Sequence, residues 1–126
     1  MIGRDELNKI SEAVIGCAFK VHNTLGIGFL EKVYENALVH EIRKLGLRVE
    51  QQRSINVVYD GVVVGEYFAD ILVNGELILE LKVVKAIDEI HLAQCLNYLR
   101  ATGNRLCLLL NFNEPRVGVK RVANGL

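Results

Sequence analysis

The chain has 126 residues, 51% of them hydrophobic and 24% charged, which fits one domain with a hydrophobic core. Fifteen basic and fifteen acidic residues cancel, so the chain is not a purely electrostatic nucleic-acid binder. No apolar run reaches the ~18 residues of a membrane span, and the start, MIGRDELNKI, lacks the apolar core of a secretory signal. These features predict a cytoplasmic protein with no membrane partner.

Residues 5–24 read as a first helix. Ile10, Ala13, Val14, Cys17, Ala18 and Val21 recur at helical spacing, Asp5 or Ser11 is placed to start it, and Gly26 and Gly28 end it. His22 lies near its C-terminal end, where the helix dipole favours it. A second helix spans residues 30–45, with Leu30, Val33, Tyr34, Ala37, Leu38, Ile42 and Leu45 as its apolar stripe. At ~100° per residue Glu31 falls at the edge of that stripe, which predicts a half-buried carboxyl there and not at Glu35 or Glu41.

From Leu47 the period changes to two. Ile55, Val57 and Tyr59 alternate with Asn56 and Val58, and Asp60-Gly61 signals a two-residue hairpin. Strand pattern continues over residues 62–73, with Gly65 placed for a bulge, and Asn74-Gly75 turns the chain into residues 76–84. This is a three-stranded antiparallel meander whose last strand is apolar enough to be central. Residues 87–102 form a third helix stopped by Gly103, with Asp88 and Glu89 in its first turn and a polar stripe of His91, Gln94 and Tyr98. The run RLCLLLNF, residues 105–112, reads as a buried strand, and residues 117–122 as an added edge strand. Cys17, Cys95 and Cys107 are far apart and sit among apolar neighbours, so they read as small buried hydrophobes. Arg100, Arg105, Arg116, Lys120 and Arg121 face only Glu114 in charge, a basic C-terminal stretch that is either a solvated surface or a phosphate-facing edge.

The chemistry-bearing stretch is DILVNGELILELK, residues 70–82. Leu77, Leu79 and Leu81 share one strand face, and Glu80 and Lys82 the other. Magnesium takes oxygen ligands and keeps several waters, so Asp70, Glu80 and the backbone carbonyl of Leu81 suffice as a metal set. Lys82 is placed to orient or deprotonate a water and to offset charge. The turn decides whether this works. A two-residue turn pairs 73 with 76 and puts Asp70 opposite Leu79, away from Glu80. A three-residue loop over residues 73–75 pairs 72 with 76 and brings Asp70 to the face of Lys82. The functional reading therefore predicts an irregular hairpin.

The segment GFLEKVY, residues 28–34, matches the G-x-x-E-x-x-Y motif of the GxxExxY proteins. The resemblance runs through HNTLGIGFLEKVYENAL, FADILVNGELILELK, HLAQCLNYLRATG and LLLNF, nearly the whole chain. That family resembles the PD-(D/E)XK nuclease superfamily, with RecB-like features. The resemblance implies a restriction-endonuclease-like α+β fold: a mixed sheet of four to five strands flanked by helices, in the order α-α-β-β-β-α-β(-β). It implies Asp70 as the motif aspartate, preceded here by Ala69, not proline, and Glu80-Leu81-Lys82 as the E-x-K. It implies Glu31 as a helix glutamate supporting the metal or its waters, and Gln94 and Tyr98 as a Q-x-x-x-Y pair contacting nucleic acid. Tyr34 and His91 are further supporting candidates, and His22 a weaker metal-ligand candidate. The expected activity is Mg2+- or Mn2+-dependent hydrolysis of phosphodiester bonds in DNA, with RNA the second choice. The alternative is a non-catalytic nuclease-fold module that binds nucleic acid or protein, and a homodimer or partner protein fits either reading.

Overall fold

A computed structural model describes all residues, 1–126. Its element order is α1 (Arg4–Leu25), α2 (Glu31–Lys44), β1 (Val49–Tyr59), β2 (Val62–Val73), β3 (Leu77–Lys82), α3 (Glu89–Thr102), β4 (Leu106–Asn111) and β5 (Gly118–Ala123). The strands form one sheet in the order β1-β2-β3-β4-β5. All neighbours are antiparallel except β3 and β4, which are parallel because α3 carries the chain back between them. The expected α+β class, mixed sheet and element order are all observed.

Helices α1 and α2 cover one face of the sheet. Leu7, Val14 and Val21 of α1 and Leu38 and Ile42 of α2 meet Leu77, Leu79 and Leu81 of β3 in a core of 20 buried residues. The other face carries only nine, where Cys95, Tyr98 and Leu99 of α3 meet Ile78, Cys107 and Leu109. β3 is therefore buried on both sides, and any charge on it must be accommodated by its neighbours. All three cysteines are buried and free, as expected of small core residues.

The helix ends differ in detail from expectation. α1 starts after Gly3 without a side-chain cap; Asp5 lies in its first turn, and Ser11 is buried within the helix. α3 starts two residues later than its pattern suggests. Asp88 is its N-cap, accepting from the N–H groups of Ile90 and His91, while His91 Nδ1 accepts from the Asp88 N–H at 3.1 Å.

Two turns set the sheet. Asp60 and Gly61, both with positive φ, join Tyr59 to its partner Val62 as the two-residue hairpin the sequence signals. A register shift beside Val57 confirms a bulge near Gly65. At the second turn Asn74 (φ 52°) and Gly75 (φ 67°) are left-handed and the Glu76 N–H donates to the Val73 carbonyl at 3.0 Å. Val73 pairs with Leu77, so the loop is residues 74–76 and neither register considered from the sequence is the one formed. The three-residue loop is irregular as expected, but displaced by one residue. Continued along the strands, this register sets Asp70 directly across from Glu80.

The basic C-terminal residues do not form one phosphate-facing edge. Arg105 donates to the Ile2 carbonyl, Arg121 to Asn8, and the Arg116 guanidinium lies over the Phe19 ring. No helix is long and apolar enough to cross a membrane.

Candidate active site

The ladder between β2 and β3 stops at Ile71 and Leu79. Beyond that pair the two carboxylates replace backbone partners. The Asp70 N–H donates to Glu80 Oε1 at 3.1 Å, and the Leu81 N–H donates to Asp70 Oδ2 at 2.8 Å. Each residue's main chain or its successor's thus holds the other's side chain, and one oxygen of each carboxylate is left without such a tie. Side-chain alternation puts Glu80 on the α3 face, where it is 4% exposed.

Burying Glu80 against the half-buried Asp70 favours the protonated forms of both. Desolvation first, then the charge of Asp70, push the Glu80 carboxyl up to about 9. Asp70 is raised mainly by burial and also by the charge of Glu35, while the Leu81 N–H opposes the shift. Glu31 is raised by desolvation of its carboxyl and by Asp70, and so lies within electrostatic reach of Asp70. The Lys82 ammonium lowers all three carboxyls and takes part in no ion pair. Asp70 and Glu80 meet where the sheet forks, with the uncommitted Lys82 close enough to lower both carboxyls.

The helix-face reading of α2 needs a correction. Glu31 is an exposed residue, and Glu35 is the buried one, at 2% exposure. Glu35 accepts from Lys32 Nζ at 3.0 Å, Gln51 Nε2 at 2.8 Å and Gln52 Nε2 at 3.1 Å. Gln52 in turn approaches Asp70 Oδ1 at 3.5 Å. Its φ of 54° breaks the β1 ladder between Gln51 and Arg53, and this turns consecutive amides, Gln51 and Gln52, toward α2. The sequence contained a signal for this: Glu35 is four residues after Glu31 on the same helix, and two glutamines interrupt a strand.

The remaining candidates separate. Tyr98 is 5% exposed, and its hydroxyl is raised by burial and by the charges of Glu80 and Asp70. With Gln94 it lines a groove of about 790 Å³ between α3 and the β1–β2 ribbon, a lining that includes none of Asp70, Glu80 and Lys82. His91 is committed to the α3 N-cap. Tyr34 is fully buried; its hydroxyl donates to the Gly26 carbonyl at 2.6 Å and accepts from the Phe29 N–H at 3.2 Å, and its ring stacks on Phe112. It supports the loop that delivers Glu31 and does not reach the surface. His22 is buried, 2.7 Å from the Glu114 carbonyl and stacked on Phe112, and is not among the charged neighbours of Asp70 or Glu80. Asn111, unnoticed in the sequence, is fully buried and brackets the end of β3 by bonding both the N–H and the carbonyl of Val84.

A family model described as the PD-(D/E)XK nuclease superfamily matches residues 8–122. The chain belongs to the PD-(D/E)XK nuclease superfamily. No curated protein and no solved structure matches it. Membership in this nuclease superfamily points to nuclease activity and a nucleic-acid substrate in general terms. No three His, Cys, Asp or Glu side chains gather as a metal-holding group.

Proposed function

We propose that this protein, as a single domain of the GxxExxY type with RecB-like features, is a metal-dependent nuclease that hydrolyses phosphodiester bonds of DNA. The observation that carries the reading is the placement of Asp70 across from Glu80 at the fork of β2 and β3, with Lys82 uncommitted beside them. A buried carboxyl, Glu80, and a half-buried one, Asp70, both with raised proton affinity and each with one oxygen not held by the main chain, suit a hard divalent cation, because a cation offsets the burial that now favours protonation. Asp70, Glu80 and the Leu81 carbonyl would hold Mg2+ or Mn2+, with waters filling the remaining positions. When bound, the cation supplies charge neutralisation at the phosphate and a more acidic water.

The chain's own groups do the rest. The Lys82 ammonium faces the negative charge that develops as water adds to phosphorus, and holds or exchanges a proton with that water. Glu31 sits within reach to orient water from the α2 side. Gln94 and Tyr98 offer an amide and a hydroxyl to the strand along the groove. Gln52, bridging Glu35 and Asp70, fixes the Asp70 carboxyl.

The test is cleavage of single-stranded, duplex and nicked DNA and of RNA, with and without Mn2+. Lys82→Ala and Glu80→Ala are expected to reduce metal-dependent cleavage by at least about 100-fold while the far-UV circular dichroism is unchanged. Parent-like cleavage by both variants would sink the site assignment.

A further inference from the structure

The groove between α3 and the β1–β2 ribbon differs in chemistry from the carboxylate site. Its volume, about 790 Å³, falls within the range of about 300–1,000 Å³ that takes drug-sized ligands. Most of its lining is hydrophobic, with Val57, Val58 and Val64 contributed by the ribbon. Tyr67 stands in the ribbon wall, 49% exposed, with its ring centroid 5.8 Å from that of Tyr98 and the two planes tilted by 49°. A half-exposed aromatic ring backed by a second one is a stacking platform that nothing in the protein covers.

The polar groups of the groove are uncommitted. Asn56, Gln94 and Asn97 bring three amides to the lining, and none of the three bonds within the protein. Other amides of the chain are spent internally: Gln51 and Gln52 on Glu35, Asn74 on the Arg48 N–H, Asn104 on the Gly75 carbonyl and Asn111 on Val84. Tyr98 is only 5% exposed, and its hydroxyl bonds to no protein group. No polar side-chain atom is both sealed and unpartnered, so this hydroxyl opens into the groove that Tyr98 lines. The charges of Glu80 and Asp70 act on the same hydroxyl, and Tyr98 thereby links the groove electrostatically to the carboxylate site.

Charge selects the occupant. Arg100 is the one charged residue of the lining, and from Ser54 to Leu81 the chain has no lysine or arginine, so the ribbon wall offers no cation to a phosphate. A duplex keeps its bases paired and presents two rows of phosphates, which this lining does not match. An unpaired base matches it. Its apolar faces stack on an aromatic ring, and its edges carry the donors and acceptors that an amide pairs with. We infer that the groove takes the unpaired bases of a single-stranded DNA substrate, with Tyr67 stacking on a base, Asn56, Gln94 and Asn97 bonding base edges, and Arg100 meeting a phosphate of the same strand. The inference rests on the nuclease reading above and names the substrate of that site as a single strand, not a duplex.

The experiment is fluorescence anisotropy of the full chain in EDTA, where no cleavage interferes, with a labelled oligonucleotide of about 12 nucleotides as a single strand, as a duplex and as a single strand of abasic sites. The single strand is expected to bind about tenfold or more tighter than either of the others. Tyr67→Ala is expected to weaken single-strand binding about tenfold with the circular dichroism unchanged, and Tyr67→Phe to bind like the parent. Duplex or abasic strand bound as tightly as the intact single strand overturns the inference, as does parent-like binding by Tyr67→Ala or no binding of any probe. Cleavage separates this outcome from that of the nuclease reading. Single-strand binding of the expected kind with no cleavage of any substrate ends the nuclease reading and supports the groove assignment. Metal-dependent cleavage of duplex in preference to single strand supports the nuclease reading and overturns the groove assignment.

Discussion

Replacing Glu80 with glutamine tests the buried carboxylate pair without relying on catalysis. The Glu80 carboxyl ionises near its ordinary value, 4.5, when the chain is unfolded, and is pushed up to about 9 when folded. Between those values the folded state keeps a proton that the unfolded state has released. Stability therefore falls as pH rises through this window, by up to about 1.4 kcal/mol per unit. From about pH 5 to about pH 7.5 this amounts to roughly 3 kcal/mol, and the near-complete burial of Glu80 leaves little solvent to screen it. The glutamine has no proton to lose, and its side-chain oxygen is placed to accept from the Asp70 N–H as Glu80 does at 3.1 Å. Urea denaturation at the two pH values is expected to show the parent losing roughly 3 kcal/mol more than Glu80→Gln. Asp70 is raised in the same direction and contributes to both proteins, so the difference between them isolates Glu80. Millimolar Mn2+ is expected to flatten the parent's pH dependence and leave that of the variant unchanged. Parallel pH profiles for parent and variant, metal-free, would refute the reasoning, because Glu80 would then ionise as freely folded as unfolded.

Gln52→Gly keeps the left-handed backbone and deletes the amide between Glu35 and Asp70; it is expected to lower cleavage about tenfold while Gln52→Glu, with like charges facing, lowers it further, and equal activities in the three proteins would exclude a positioning role. Tyr34→Phe removes the hydroxyl shared by the Gly26 carbonyl and the Phe29 N–H inside the core, and thermal denaturation is expected to show a loss of about 1–3 kcal/mol. Asp88→Ala strips the N-cap from α3 and is expected to cost about 1 kcal/mol in the same measurement; no change would mean that the His91 half of the capping box suffices.

Much of this molecule is written in local pattern. The helical spacing of Val14, Cys17, Ala18 and Val21, the leucine row of β3 and the Asp60-Gly61 turn each depend on residues a few positions apart, so the element order and the shared face of Glu80 and Lys82 follow from the sequence. The Q-x-x-x-Y spacing likewise sets Gln94 and Tyr98 on one side of α3. What joins distant segments was decided only by the tertiary structure. Asp70 meets Glu80 because the turn takes three residues from Asn74, a choice of one residue in register that local propensity leaves open and the packing of alternating faces settles. Glu35 is the buried glutamate of α2 because Gln51 and Gln52, from a strand, arrive to satisfy it, and Gln52 adopts φ 54° to do so. A carboxylate is buried only where partners compensate it, and those partners lie 16 and 17 residues away. His91 and Tyr34 carry polar tips that the sequence offers to a substrate, and the fold spends on its own backbone instead.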